Sequence, residues 1–184
     1  MSLLGSPELH KLIDDGVIDA PHSAVNSSSI DVRIGDRVLM EGAANGVVDI
    51  SAKESPNFNE VMIPEEGLVI KPGECFLAHT VETFNLPDNI SCDFMLRSTV
   101  GRCFLEHMHA GHADGGWHGS QLTMEFKNVL QHHSLLIKPG MRIGQMEFFK
   151  HSSSEEDSYA TKGSYNNQQG PTKAFGGTNH ADML

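Results

Sequence analysis

The sequence is short of cationic side chains. Its 184 residues include 13 Lys and Arg against 24 Asp and Glu, which gives a formal net charge of −11. Non-specific binding to nucleic acid or to an anionic membrane is driven mainly by an excess of Lys and Arg. We therefore expect neither nucleic acid nor a membrane as a partner, although a single nucleotide in a locally basic pocket stays compatible with this composition.

Cysteines and long apolar runs are also scarce. Cys75, Cys92 and Cys103 are odd in number and form no C-x-x-C pair, a usage that is typical of the reducing cytoplasm rather than of a disulfide framework. No apolar run approaches 18 residues, and no basic segment precedes an apolar one. The sequence thus predicts a cytoplasmic protein without a membrane span or an export signal.

One short helix is predicted near the N-terminus. The tripeptide SPE at residues 6–8 is typical of an N-cap, a first-turn proline and a first-turn acid. Leu9, Leu12 and Ile13 follow at the spacing of one helical face, and Gly16 ends the run.

The remaining periodicity predicts strands. Ile30, Val32 and Ile34 alternate with Asp31 and Arg33, a pattern that predicts a half-buried strand with the two charged residues on its outer face. Further short apolar runs, mostly separated by Gly, Pro, Asn or Asp, lie at residues 38–40, 47–50, 61–63, 68–70, 75–78, 90–96, 122–126, 135–137 and 143–149. Many short strands and one helix indicate an all-β sandwich or barrel.

Two features organise the chain further. The segments VIKPGE (69–74) and LIKPGM (136–141) echo each other, and each places Pro and Gly where a type II turn needs them. After Lys150 the sequence has few apolar residues and cannot fold alone. We predict one β domain over residues 1–150, followed over residues 151–184 by either a disordered tail or a flap that closes over a ligand.

Residues 95–126 concentrate the reactive side chains. Arg97, Ser98, Thr99 and Arg102 lie within six residues, beside Gly101. Two permanent cations, two hydroxyl groups and exposed backbone amides suit a polyphosphate. A polar turn after a strand is an equally open interpretation of this hexapeptide.

The strand at residues 121–126 carries a second candidate. Leu122, Met124 and Phe126 share one face, and Glu125 lies on the other with Gln121 and Thr123. Most such glutamates are simply solvated. The functional alternative is a general base that lines a cleft and takes a proton from water.

A histidine-rich segment suggests a metal hypothesis. His107 and His109, with Gly101, Asp114 and Gly119, loosely imitate the first metal motif of the cupins, and imidazoles with a carboxylate bind divalent transition metals. The cupin motif has Glu where Asp114 stands, and its second half is absent. The H-x-E and P-C-x-x-C signature of zinc deaminases is also absent.

Taken together, these segments resemble the dCTP deaminase branch of the dUTPase-like superfamily, over residues 29–172. SSSIDVRIG is similar to the first signature of that family, FMLRSTVGR to its phosphate-binding segment and HAGHADGGW to its alanine-to-aspartate turn. TMEFKN is similar to the strand with the catalytic glutamate, IKPGMRIGQMEF to the penultimate strand region and SYNNQQGPT to the C-terminal flap. Six such segments in the same order are hard to produce by chance.

The resemblance implies a distorted β-barrel or jelly roll with a flexible C-terminal flap, assembled as a homotrimer with active sites at subunit interfaces. It implies hydrolysis of dCTP to dUTP and ammonia without zinc, with Mg²⁺ bound through the triphosphate. Glu125 would activate the water, Arg102 would orient Glu125 and stabilise developing charge, and Ser98 would polarise the base or the water.

The resemblance also implies a substrate-binding set. Phosphates would contact Arg97, Thr99 and Gln168, while the Ala110 carbonyl would accept the 4-amino group and Asp114 would bind the 3′-hydroxyl. Trp117 and Gln145 would wall the pocket, although core packing is the commoner role for a lone tryptophan.

The chain departs from the family pattern at several positions. It has one residue fewer between Arg97 and Ala110 and one more between Trp117 and Glu125. Ser164 stands where the flap commonly has lysine, so Lys162, with Tyr159 nearby, is the substitute we assign. Gly111 is small, as in the bifunctional members that continue to dUMP.

Three alternatives stay open from the sequence. A dUTPase shares the barrel and the phosphate segment but lacks the glutamate of T-M-E-F. A cupin-like metalloenzyme would use His107 and His109. A family member without catalytic activity would bind nucleotides to regulate a partner.

Overall fold

A computed structural model describes residues 1–174 of the chain. The twelve strands are β1 (Ser2–Leu3), β2 (Ile30–Arg33), β3 (Arg37–Glu41), β4 (Phe58–Met62), β5 (Leu68–Ile70), β6 (Cys75–Asn85), β7 (Ile90–Leu96), β8 (Leu105–His107), β9 (His112–Ala113), β10 (His118–Asn128), β11 (Leu135–Ile137) and β12 (Arg142–Lys150). The helices are α1 (Ser6–Asp14), α2 (Ser98–Gly101) and α3 (Tyr159–Lys162), and 3₁₀ turns occur at His22–Ala24 and Glu155–Asp157.

The strands form two five-stranded antiparallel sheets. The first has the order β1-β12-β7-β9, with β2 also paired to β12, and the second has the order β4-β3-β6-β10-β8. An isolated bridge between Ile34 and Thr80 joins the end of β2 to β6, and so connects the two sheets. The prediction of an all-β fold with a short N-terminal helix is confirmed.

The core lies between the two sheets. Phe76 and Phe126 pack with ring centroids 5.4 Å apart, and Phe84, Phe148 and Met124 are also fully buried. The alternation predicted for residues 121–126 is confirmed, because the even-numbered residues are buried and the odd-numbered ones are half-buried. This alternation turns Glu125 away from the core.

The two echoing segments lie side by side. β5 and β11 pair with each other as a separate two-stranded sheet, and each is followed by its Pro-Gly turn. Gly73 and Gly140 have φ values of 82° and 73°, the left-handed conformation that the third residue of a type II turn requires. The repeated turn chemistry is therefore confirmed.

Two predictions about local structure are wrong. Residues 47–50 form no strand, and Val47 and Ile50 are 94% and 84% exposed, because a short apolar run gains little from burial without a partner strand. Helix α1 begins at Ser6 with Gly5 as its N-cap, because the Glu8 carboxylate reaches back to accept the Gly5 N–H at 3.2 Å.

A third correction concerns β2, which is not half-buried as predicted. Asp31 is only 4% exposed, and its carboxylate accepts hydrogen bonds from Arg97 and from Arg142. Burial of a carboxylate is costly unless it is paired and hydrogen-bonded. The two arginines satisfy this condition from sites 66 and 111 residues away.

Residues 151–174 return across the second sheet after β12 ends at Lys150. Residues 175–184, which the predicted flap also included, lie outside the described residues. In residues 1–174 there is no helix with the length and apolar content needed to cross a membrane.

Candidate active site

A cavity of about 530 Å³ lies beside β10. Its wall includes six of the residues that the sequence predicts for the site: Ala110, Asp114, Trp117, Glu125, Tyr159 and Gln168. Residues 54–58 and the C-terminal segment supply much of the remaining wall. The fold therefore brings the β10 glutamate, the turn at 110–117 and the tail to one place.

Glu125 is a partly buried carboxylate on the cavity wall. Its side chain is 31% exposed, and its Oε2 atom is buried with no hydrogen-bond partner among the described residues. Burial raises the pKa of the Glu125 carboxyl above its ordinary value, because a low-dielectric environment disfavours the charged form. A raised carboxyl pKa in a cavity is typical of a general acid or base.

His107 lies next to Glu125. Its Nε2 is 3.7 Å from Glu125 Oε2, and its ring packs against Phe94 and Phe126 with centroids 4.6 and 5.6 Å away. Burial, helped by the nearby His109, lowers the pKa of His107 to about 4. The ring is therefore neutral near pH 7.

The turn at 110–117 is fixed from both sides. Phe94 N–H donates to the Gly111 carbonyl at 3.0 Å, and Leu86 N–H donates to the Trp117 carbonyl at 2.8 Å. Trp117 is 4% exposed and stacks on Phe84 at 5.4 Å. The tryptophan thus packs in the core and also forms part of the cavity wall.

A histidine links two acids at the cavity wall. His112 Nδ1 lies 2.6 Å from Asp93 Oδ1, and His112 Nε2 lies 3.3 Å from Asp114 Oδ1. Burial alone would lower the pKa of His112, but the hydrogen bond to Asp93 and the charges of both acids raise it above its ordinary value. When it is protonated, His112 donates one ring N–H to each carboxylate and so holds Asp114 in place.

The tail occupies a free edge of β10. Gln121 N–H donates to the Gln168 carbonyl at 3.0 Å, and Gln168 Nε2 donates to the Gln121 carbonyl at 2.8 Å. Trp117 Nε1 also donates to the Tyr165 carbonyl at 2.9 Å. These contacts place Tyr159, Tyr165 and Gln168 on the cavity wall.

The predicted phosphate segment does not reach this cavity within one chain. Arg97 binds Asp31, Ser98 and Thr99 are exposed at the start of α2, and Arg102 is exposed at its end. Gln145 lies on β12, opposite Asp31 and Met95. The chain therefore separates its predicted residues into two groups.

Lys162 also lies off the cavity wall, where its ammonium pairs with Asp157. Lys173 instead lies on the cavity wall, and sequence reasoning missed it because no pattern relates it to β10. Asp31 was missed for a different reason, since strict alternation assigned it to an outer face.

The cupin-like arrangement is not formed. His107 Nδ1 accepts a hydrogen bond from the His109 backbone N–H at 3.2 Å, and the two rings lie 6.0 Å apart. Across residues 1–174, no three His, Cys, Asp or Glu side chains are grouped to hold a metal ion.

The fold is shared with a solved structure. The crystal structure of 2′-deoxycytidine 5′-triphosphate deaminase from Agrobacterium tumefaciens matches with a TM-score of 0.63 and 18% identity, over 79% of this chain and 47% of that chain. At this identity the match establishes the class of fold, which is all-β as predicted.

Comparisons at the level of sequence identify the family. The model of the dCTP deaminase-like family matches residues 3–151. The proteins named "dCTP deaminase, dUMP-forming" from Dictyoglomus thermophilum and Dictyoglomus turgidum are 34% and 36% identical to this chain. The matches cover 92% and 84% of this chain, and 92% and 82% of the relatives. The chain belongs to the dCTP deaminase-like family.

Proposed function

We propose that this protein removes the 4-amino group of dCTP by hydrolysis and then hydrolyses the resulting dUTP to dUMP. The observation that carries the proposal is the partly buried Glu125, whose carboxyl pKa is raised in a cavity of nucleotide-binding size. The relatives named for this activity, 34% and 36% identical over most of the chain, support the choice of substrate.

Glu125 acts as the base for the first reaction. Its carboxylate takes a proton from water while the water oxygen forms a bond to C4 of cytosine. The carboxyl group delivers that proton to N3 of the ring, then takes the proton of the new C4 hydroxyl group and passes it to the amine as the C4–N bond breaks, so that dCTP and water yield dUTP and ammonia. A second water then cleaves dUTP to dUMP and pyrophosphate.

The cavity wall supplies recognition. The Ala110 carbonyl accepts the 4-amino group, Asp114 binds the 3′-hydroxyl, and Trp117 closes the base pocket. Tyr159 and Gln168 cover the nucleotide from the tail. These roles agree with the position of all five residues on one wall.

The phosphate segment reaches the substrate from another subunit. In a homotrimer, Arg97 and Thr99 bind phosphates, while Arg102 and Ser98 complete the reaction centre beside the Glu125 of a neighbouring copy. The separation of these residues from the cavity within one chain supports this arrangement. Gln145 belongs to the same group as the arginine segment. Mg²⁺ enters with the triphosphate as part of the substrate. The protein works in the cytoplasm.

The test is an assay of ammonia and nucleotide products from dCTP with Mg²⁺. We expect equal amounts of ammonia and dUMP from the parent protein, and neither from Glu125→Gln. Lys11→Met, on the exposed helix α1, serves as a surface control that keeps activity. A parent protein that ignores dCTP but hydrolyses dUTP, with Glu125→Gln equally active, would contradict the proposal.

A further inference from the structure

Glu125 and His107 face each other with one unpartnered atom each. Glu125 Oε2 and His107 Nε2 are 3.7 Å apart. Both atoms are buried, and neither has a hydrogen-bond partner in the described part of the chain. Buried polar atoms in folded proteins are nearly always hydrogen-bonded. Two such atoms side by side therefore indicate that they form a hydrogen bond with each other in the working site.

The backbone fixes the position of the proton on His107. His109 N–H donates to His107 Nδ1 at 3.2 Å. A ring nitrogen that accepts a hydrogen bond carries no proton, so the neutral imidazole carries its proton on Nε2. That nitrogen is the ring atom 3.7 Å from Glu125 Oε2.

The surroundings keep His107 neutral. Its side chain is 3% exposed and packs against Phe94 from β7 and Phe126 from β10. The titratable groups that face it are Glu125 on β10 and His109 in the following turn. Burial and His109 lower its pKa to about 4, so the ring donates a hydrogen bond without taking part in proton transfer near pH 7.

Gly111 makes this packing possible. A Cβ atom at position 111 would lie 2.6 Å from Phe94 Cβ and 3.3 Å from His107 Cε1. A larger residue would displace Phe94 or press on the imidazole. The packing of Phe94 and His107 is therefore a structural reason for the small residue at Gly111. It stands beside the likeness to bifunctional members that the family resemblance implies.

We propose that His107 is a positioning residue for Glu125. Its Nε2–H donates to Oε2 of the carboxylate, fixes the rotation of the carboxylate plane and leaves the other oxygen for the attacking water. The contact shortens to hydrogen-bond length when substrate fills the cavity, as catalytic hydrogen bonds commonly do. This inference rests on the proposed function for its catalytic meaning, but the contact itself is testable without turnover.

The contact has a predicted electrostatic effect. A donor to the ionised carboxylate favours the charged form, so His107 holds the pKa of Glu125 below the value that burial alone would give. Removing the donor raises that pKa further. The acidic limb of the rate profile then moves to higher pH.

Two variants test the effect on the reaction. In His107→Phe, which keeps an aromatic ring without Nε2–H, we expect kcat for dCTP to fall about ten- to a hundredfold, as for the loss of one hydrogen bond to a charged group. KM should change by less than about threefold, because a residue that acts through Glu125 does not bind substrate. His107→Gln, whose amide can donate from a similar position, should restore most of kcat and return the acidic limb.

His109→Ala is the matched control, because it removes an imidazole but keeps the backbone N–H that fixes the tautomer. We expect its kcat to stay within about twofold of the parent value. An unchanged acidic limb and kcat in His107→Phe would overturn the proposal.

NMR of the parent protein tests the contact independently of folding defects and of activity. Nitrogen-15 shifts should show His107 as the neutral Nε2–H tautomer at pH 7, and the Glu125 carboxyl carbon should titrate at higher pH in His107→Phe. A neutral Nδ1–H tautomer would contradict the inference even if dCTP is deaminated. The expected tautomer without any deamination would instead refute only the proposed function.

Discussion

At the scale of single residues, the site depends on which charges the fold removes from water. Glu125 and Asp31 are both shielded carboxylates, but they differ in their partners. Asp31 is paired with two arginines, whereas Glu125 Oε2 has no hydrogen bond among residues 1–174. The paired acid serves structure, and the unpaired acid is available for chemistry.

The raised pKa of Glu125 predicts two pH effects. The acidic limb of kcat/KM for dCTP should have its midpoint above the ordinary glutamate value of 4.5, because the base must be ionised. Stability should also fall as pH rises through that raised pKa, because the folded state holds its proton more tightly than the unfolded state does.

The substitution Glu125→Gln removes the fall in stability that the Glu125 carboxyl causes as pH rises. Urea unfolding should show the variant gaining stability relative to the parent as pH rises from about 4 to 8. At the same time, deamination should fall by about a hundredfold or more, as for loss of a general base. A stability difference that does not depend on pH would contradict the raised pKa.

The Asp31 ion pairs predict a stability effect. Asp31→Asn should lower the free energy of unfolding by about 3 kcal/mol, since breaking a buried pair leaves uncompensated charge. Asp15→Asn is the matched control, because Asp15 pairs with Lys11 at the exposed end of α1 and such pairs contribute at most about 1 kcal/mol. Equal effects in urea unfolding would show that Asp31 is not a structural anchor.

At the scale of elements, hydrophobic periodicity predicted the strands whose faces and ends depend on local sequence. Residues 68–70, 90–96 and 135–137 form strands with the predicted bounds, because alternation and turn residues determine both the face and the end of a strand. β8 and β9 were missed because their sequences, LEH and HA, contain no apolar run. Their pairing depends on strands elsewhere in the chain.

The residues of the site were likewise predictable only where local sequence encodes them. Glu125 and the turn at 110–117 are recognisable from local sequence, and both line the cavity. The Arg97–Asp31 pair and the His107–Glu125 contact join residues 66 and 18 positions apart, so no local pattern encodes them. Lys173 was missed for the same reason.

The Pro-Gly turns predict a backbone effect. Gly140→Ala should destabilise the protein by about 1 kcal/mol, because φ at this position is 73° and a side chain disfavours the left-handed region. Apart from the adjoining residues, no atom lies within 4 Å of the new Cβ, so the substitution measures backbone strain alone. Gly46→Ala is the matched control, since that site is equally open and has no positive φ. A change at Gly46 as large as that at Gly140 would refute the conformational explanation.

The tail predicts an effect on turnover rather than on folding. Ending the chain after Lys150 removes the segment that covers the edge of β10 and bonds to Trp117. We expect a folded trimer whose kcat/KM for dCTP falls about a hundredfold, because substrate positioning is lost. Near-UV circular dichroism checks the fold. An unfolded or fully active protein would contradict the role of the tail as a flap.

At the scale of the whole molecule, each proposed site needs residues from two copies of the chain. The glutamate cavity and the arginine segment lie apart in one chain, and a cyclic trimer with head-to-tail contacts would join them at every interface. The formal charge of −11 makes such a local cluster of arginines necessary for binding a triphosphate.

Mixed trimers test this assembly. Glu125→Gln and Arg102→Ala should each be inactive alone. Unfolding and refolding them together in equal amounts should restore about a quarter of the parent activity, because one interface in four then combines an intact glutamate with an intact arginine. Sedimentation should give three times the chain mass. No recovery in mixed trimers of confirmed composition would place both residues in the same subunit's site.

The central claim is that Glu125 directs water to C4 of dCTP. The most direct measurement is mass spectrometry of the products formed from dCTP and Mg²⁺ in water enriched in oxygen-18. We expect dUMP with one labelled oxygen on the uracil ring, and about a hundredth of that product or less from Glu125→Gln in the same time. Unchanged dCTP, or a product whose base carries no label, would contradict it.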